Sequence, residues 1–462
     1  MTDQQVTSNT PESGTQSTLS TALTVGFGGA LLIAFVSWCL FLFNRNTSLV
    51  VLFPIAAAVF GGWSAVQLRG FTGPKLRAGI LSGLIGAIAL SVFVGSLVST
   101  QSETLEAFEH EKNSLSSQGL MTFGIVAVAM IVVGALVGVL TSKAKSPKKP
   151  IDWRARFAWI CAASYLPLII VGGIVTGTES GMAVPDSFTT YGSVSMLFPI
   201  SLMEETRIFL EHSHRLFGTY AGLMTIVLVV LMLARPARLL PRLMSIALLI
   251  GVSAQGVMGA LRVSEGSSAL AALHGVLAQL VFALAIATGV VSSQRWIASH
   301  SSDESRSEAR STRLFALITS LALFIQLVFG SLTRHTDSSH PLMSHIGFSF
   351  IVVILVIIAG AKIIKLGKKN ETVSAIRPYG AILHGLVIIQ FVMGWGALAM
   401  TRTGDEDHPP IPNPEDLASA HPIRIGETIV TSTHHVVGAL LLGTLAAALV
   451  WSLRLASKRV IR

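Results

Sequence analysis

Four histidines combine a residue type and a spacing that could do chemistry: His214, His274, His345 and His434 each stand near the start of an apolar run of helical length. A single histidine at a helix mouth is ordinarily a hydrogen-bonded interfacial residue. These four fall at equivalent points of an internal repeat. Ser213-His214 returns as Ser344-His345, and His274-Gly-Val-Leu-Ala-Gln-Leu as His434-His435-Val-Val-Gly-Ala-Leu. Gln255-Gly-Val-Met-Gly259 returns as Gln390-Phe-Val-Met-Gly394. Gly173-Ile-Val-Thr176 returns as Gly330-Ser-Leu-Thr333, after which the second copy reads with one inserted residue. Four correspondences in one order predict two four-helix units related by duplication. Two imidazoles converging between parallel helices at one depth are what a six-coordinate haem iron requires. The expected pairs are His214 with His274 and His345 with His434. His435 is the rival to His434, and the alignment with His274 favours His434.

The copies differ beside the first histidine. Glu211 precedes His214 by three residues, on the same helix face, and its counterpart is Leu342. A carboxylate at one pair alone suggests proton chemistry there and plain electron transfer at the other. The alternative is that Glu211 pairs with Arg215 or Arg207 at the interface. Arg215, Arg262 and Arg334 fall on the side of the histidines, where guanidinium can meet haem propionates or anchor at the interface. The other histidines do not fit the pattern. His384 lies at the opposite depth, His212 points away from His214, and His110, His300, His335, His340, His408 and His421 are expected in loops.

The elements that must position these residues are membrane helices. The chain has 462 residues, 51% hydrophobic and 12% charged with mean hydropathy +0.67, beyond the range of soluble domains. Apolar runs near 20 residues, the length that crosses a bilayer core, recur at 21–43, 49–68, 78–98, 120–140, 157–175, 213–234, 243–261, 269–291, 314–332, 343–360, 381–400 and 433–453. Unbroken runs, rather than short alternating ones, predict helices and exclude a β-barrel. The expected fold is an all-α polytopic membrane protein of about twelve transmembrane helices: two tandem four-helix bundles of parallel topology preceded by an extra four-helix segment.

Charge orients the spans. Most Lys and Arg gather at Arg69–Arg77, Lys143–Arg156, Arg235–Arg242, Lys365–Lys369 and Arg454–Arg462, whereas Glu103–Glu111 and Asp405–Asp407 lie on the other side. This positive-inside pattern places both termini in the cytoplasm of a plasma-membrane protein and the histidine pairs near the outer face. The net charge of +9 therefore reports topology, and its dispersal over short segments argues against a nucleic-acid partner. The polar first twenty residues lack the basic start of a cleavable signal peptide. Cys39 and Cys161 both sit in spans, so no disulfide or thiolate metal site is expected.

Organisation follows from these features. A front segment of four Gly- and Ala-rich spans covers 1–141, without intramembrane charge, and its glycines are read as helix-packing residues. A basic linker covers 142–156. The first haem unit covers 157–298 and the second 312–454. None of the candidate ligands lies in the front segment, so haem binding is expected to survive its removal.

From Phe157 to Arg454 the chain resembles the haem A synthase family. The resemblance rests on Glu211-His-Ser-His214-Arg215, Gln255-x-x-x-Gly259-Ala-Leu-Arg262, Arg334-His-Thr-Asp-Ser-Ser339 and His434-x-x-x-Gly438, with Thr178–Asp186 and Thr189–Gly192. It implies oxidation of a ring methyl of haem O to a formyl group. His214 and His274 with Glu211 would then receive the substrate haem, while His345 and His434 hold a haem b cofactor. It also implies membrane lipid, a haem O synthase and an electron donor as partners. Many relatives carry a cysteine pair in the outer loops, which this chain lacks, and the first 150 residues are not covered. A di-haem b electron-transfer protein is the rival reading, but such proteins typically stack their haems across the membrane rather than on one side. A transporter would show broken polar helices at the midplane, and none is evident.

Overall fold

The computed structural model describes residues 14–44, 49–145, 151–234, 239–299, 303–336, 338–368, 371–402, 417 and 420–457. Arg235, Arg238, His300, Asp337, Lys369, Asp405–Asp407, His408 and parts of the linker and C-terminus lie outside them.

The described residues form helices almost throughout, twelve of them long and apolar enough to cross a membrane. In chain order these are α1 Gly14–Phe43, α2 Leu49–Arg69, α3 Lys75–Val98, the short α4 Leu105–Glu111, α5 Ser117–Thr141, α6 Trp153–Gly177, α7 Thr206–Leu233, α8 Leu239–Glu265, α9 Ser268–Ser292, the short α10 Gln294–Ala298, α11 Asp303–His335, α12 Ser339–Lys368, α13 Arg377–Arg402 and α14 Ile425–Ala456. The all-α membrane architecture expected from hydropathy is therefore the one found. Large apolar side chains remain exposed along the helices, among them Ile226, Ile250, Ile354 and Ile388, as lipid-facing positions require.

Several helices start earlier than their apolar runs. α7 begins seven positions before the apolar run at 213. Its first turns bury Arg207 and Glu211, and the Glu205 carboxylate caps it by accepting the Ile208 N–H at 2.9 Å. Polar side chains buried against protein leave no trace in a hydropathy profile. His335 and His340, expected in loops, are likewise helical, as the last residue of α11 and the second of α12.

The chain divides into two compact units, Met1–Ser91 with Met121–Trp153, and Val92–Leu120 with Arg154–Arg462. In the first unit α3 and α5 meet backbone to backbone. A Cβ on Gly79 would strike the Gly134 carbonyl oxygen, one on Gly83 the Met130 carbonyl oxygen, and one on Gly138 would lie 2.6 Å from the Lys75 oxygen. Without a hydrophobic force between helices in lipid, such close packing is what holds them together.

In the second unit, α11, α12, α13 and α14 form a ring, each packed on the next and α14 closing on α11. The first four-helix group is built alike. α8 packs on α7 and α9, Tyr165 of α6 bonds Thr225 of α7 at 2.7 Å, and Gly289 of α9 lies against Trp159 of α6. The rings join where α9 packs on α11 and α14. In each ring the histidine-bearing helices, α7 and α9 or α12 and α14, stand on a diagonal.

The α3–α5 crossing generates a test. Gly79→Leu should cost about 3 kcal/mol, the upper end for overpacking against rigid backbone, seen as an earlier thermal transition of the first unit in detergent. An unchanged transition would mean that the helices can part without loss.

Candidate functional site

Each diagonal brings two imidazoles together. His214 and His274 have ring centroids 6.5 Å apart, inclined at 75°. His345 and His434 stand 6.2 Å apart at 77°. A metal held between two imidazole nitrogens needs this distance: two bonds of about 2.0 Å, with about 1.1 Å from each nitrogen to its ring centre, give roughly 6.2 Å. Among the described residues no group of three or more His, Cys, Asp and Glu converges. Each site thus offers two protein ligands, the number a haem iron takes along its axis.

What seats the rings is glycine. A Cβ on Gly172 would lie 2.9 Å from His214 Cε1, one on Gly259 3.1 Å from His274, one on Gly330 2.8 Å from His345, and one on Gly394 3.1 Å from His434. In all four cases Nδ1 is nearer the glycine than Nε2, so every ring presents the same edge to the neighbouring helix. Four residues before each glycine stand Leu168, Gln255, Gln326 and Gln390. His345 Nδ1 meets the Gln326 carbonyl oxygen at 3.1 Å. Nδ1 of His214, His274 and His434 is buried without a hydrogen-bond partner, and Gln390 Nε2 lies 3.2 Å from His434 Nε2. Nδ1 on a backbone carbonyl is the usual orientation of a metal-bound imidazole, with Nε2 left to ligate. The residues present therefore fit a haem at both sites.

The glycines also correct the repeat register. Gly172, rather than Gly173, is the counterpart of Gly330. With that shift Gly172, Thr178 and Ser180 match Gly330, Thr336 and Ser338 without an insertion. Gly173 instead faces His435, whose Cδ2 would lie 3.5 Å from a Cβ there, and His435 Nδ1 lies 3.5 Å from Gln279 Nε2. His434, and not His435, stands opposite His345.

Beside the first pair the polar set is denser than the sequence suggested. Glu211 is buried, its Oε1 accepting from Arg215 Nη2 at 2.8 Å and its Oε2 from the Val184 N–H at 2.8 Å. Arg215 also donates to the carbonyls of Thr189 and Val184. Arg262 donates to the Gly181 oxygen at 3.0 Å. Arg334 reaches the Thr176 oxygen at 3.0 Å and the Glu179 carboxylate at 3.2 Å. In register, Glu211, Arg215 and Arg262 correspond to Leu342, Ile346 and Ala397, so the second pair has none of these charges. Arg207 turns elsewhere, to the carbonyls of Thr178 and His421.

The segment 178–205 closes over this set. Its Tyr191 and Gly192 take φ of 50° and 74°, forming a tight turn that pairs Thr190 with Ser193. Burial, and then the carboxylates of Glu211, Glu205 and Asp186, push the Tyr191 phenol up to about 12. It stays protonated and donates to the Ala183 oxygen at 3.3 Å. His212 is buried on the far face of α7, with Nδ1 3.4 Å from Thr190 Oγ1.

Fold and site together define an all-α, multi-span membrane protein with two glycine-seated imidazole pairs, one of them beside buried charge. Over residues 155–342 the chain matches the COX15-CtaA family, cytochrome oxidase assembly proteins, in agreement with the resemblance carried by the motifs. The match covers less than half of the chain. It includes Glu211, His214, Arg215, Arg262, His274 and Arg334, and stops three residues before His345. Neither a curated protein nor a solved structure gave a match.

Gly330→Val should displace the His345 ring and remove one low-spin bis-imidazole component from the spectrum, and Gly172→Val the other. Each strains packing by about 1–3 kcal/mol, short of unfolding. If both variants kept full spectra, the rings would not depend on the glycines.

Proposed function

We propose that this chain is a haem A synthase, an oxidoreductase that converts a ring methyl of haem O to a formyl group within the membrane. The observation that carries the reading is the Glu211–Arg215–Arg262 set beside one imidazole pair and its replacement by Leu342, Ile346 and Ala397 beside the other. A pure electron carrier needs no such difference between its two haems.

In this reading His214 and His274 receive haem O as substrate, and His345 and His434 hold haem b. Haem b, when bound, supplies one-electron transfer. With dioxygen as the external oxidant, the methyl would be hydroxylated twice, first to the hydroxymethyl and then to a hydrate that loses water, each dioxygen taking two electrons from the donor and two protons and leaving its second oxygen as water. Glu211 handles the protons. Arg215 fixes its Oε1 and the Val184 N–H its Oε2, so a proton is taken or returned at a constant position. Arg215, Arg262 and Arg334 have five N–H donors each, more than their carbonyl and carboxylate partners use, and the remainder can meet propionates. A haem O synthase would deliver the substrate and a separate donor the electrons. The basic loops support a plasma-membrane location with both termini cytoplasmic.

Glu211→Gln preserves shape while removing charge. It should lower haem A formation roughly 10²-fold, with haem b still bound and haem O or its hydroxylated product accumulating. His345→Ala should instead remove haem b and its spectrum. Normal haem A formation by Glu211→Gln would reduce the residue to a partner of Arg215 and refute its proton role.

A further inference from the structure

The segment 92–120 lies ahead of the family match yet packs in the same unit as the histidine pairs. Its interactions converge on the segment 178–205. Asn113 Oδ1 accepts both the Val194 N–H at 2.9 Å and the Ser193 hydroxyl at 3.0 Å. Gln101 Oε1 accepts the Ser201 N–H at 3.2 Å, and Ser201 Oγ donates to the Ser102 oxygen at 2.8 Å. Phe108 packs edge-on against Phe198, both fully buried. Asn113 itself has φ 62°, a left-handed conformation that asparagine tolerates better than most residues.

The chain of contacts from Asn113 to the buried carboxylate is short. Asn113 grips Ser193 and Val194 at the end of the tight turn. Thr190 N–H donates to the Ser193 oxygen at 2.9 Å, and Ser193 N–H returns the bond at 3.0 Å. The preceding residue, Thr189, gives its carbonyl to Arg215. Asp186 accepts from the Gly192 N–H and the Thr189 hydroxyl, and Tyr191 ties the turn to Ala183. Val184 follows directly and donates to Glu211.

We propose that Asn113 is a positioning residue for the Glu211 site: it anchors the 190–193 turn and, through it, the two backbone groups that hold Glu211 and Arg215. The inference rests on the functional reading above. It gives part of the front segment a task at the first histidine pair and none at the second. Removal of the whole front segment would accordingly loosen the carboxylate.

The test uses the full-length protein. Asn113→Gly removes the acceptor without straining the left-handed backbone, and Asn113→Asp keeps an acceptor for both donors. Asn113→Gly should speed hydrogen exchange in the peptide containing Val184 and lower haem A formation roughly tenfold, since small misplacements of a reacting group are costly. The haem b spectrum should stay intact. Asn113→Asp should restore both quantities. Combined with Glu211→Gln, Asn113→Gly should add no further loss, because both act on one group. Unchanged exchange at Val184, a multiplicative loss in the double variant, failure of Asn113→Asp to restore, or loss of haem b would each overturn the proposal. Full activity of Glu211→Gln alone would strike the functional reading instead, while the exchange measurement would still decide whether Asn113 holds the segment.

Discussion

An imidazole can lie against the backbone of a neighbouring helix only where no Cβ intervenes, and the arrangement of this protein's second unit turns on that constraint. Gly172, Gly259, Gly330 and Gly394 each admit one histidine ring to within about 3 Å of where a Cβ would be. Each also faces the ring's Nδ1 edge, and at His345 Nδ1 meets the carbonyl one helical turn earlier. The pair spacing and ring orientation both follow from these contacts. Because helices in lipid gain little from hydrophobic association, a backbone-close seat also fixes helix spacing. The same glycines thus serve packing and site geometry.

Duplication then explains the asymmetry. Two copies of one diagonal four-helix ring supply two equivalent seats, and substitution has separated their surroundings. Leu342, Ile346 and Ala397 leave the second pair without the charges that border the first. The first pair is bordered by a carboxylate clamped at both oxygens and by two arginines tied to carbonyls of the covering segment. Charges in such a place are costly unless paired and hydrogen-bonded; Glu211 and Arg215 are paired, and Arg262 is hydrogen-bonded. Half of the clamp, the Val184 N–H, comes from the segment that covers the site, and the other half, Arg215, from α7 of the bundle.

Much of this was legible in the sequence. Hydropathy alone yields twelve helices, and the four repeat-equivalent histidines pair as their spacing implies. Helix starts were less visible, because Arg207 and Glu211 are polar residues buried against protein rather than exposed to water. The register slipped by one residue at Gly173 because the Gly172-Gly173 doublet offers two alignments, and only the ring contact chooses between them. A glutamine four residues before glycine occurs at 255, 326 and 390, and that recurrence was a readable signal for the seats. The brace from Asn113 is not readable, since it reaches residues 80 and 81 positions away, one of them through a main-chain amide that leaves no side-chain pattern.

If two haems sit between the paired imidazoles, haem extraction from the purified protein reads them out. Protein expressed with haem supplied should carry haem b together with haem O or haem A, in two low-spin bis-imidazole environments. A well-folded preparation that carries no haem under those conditions would contradict the account.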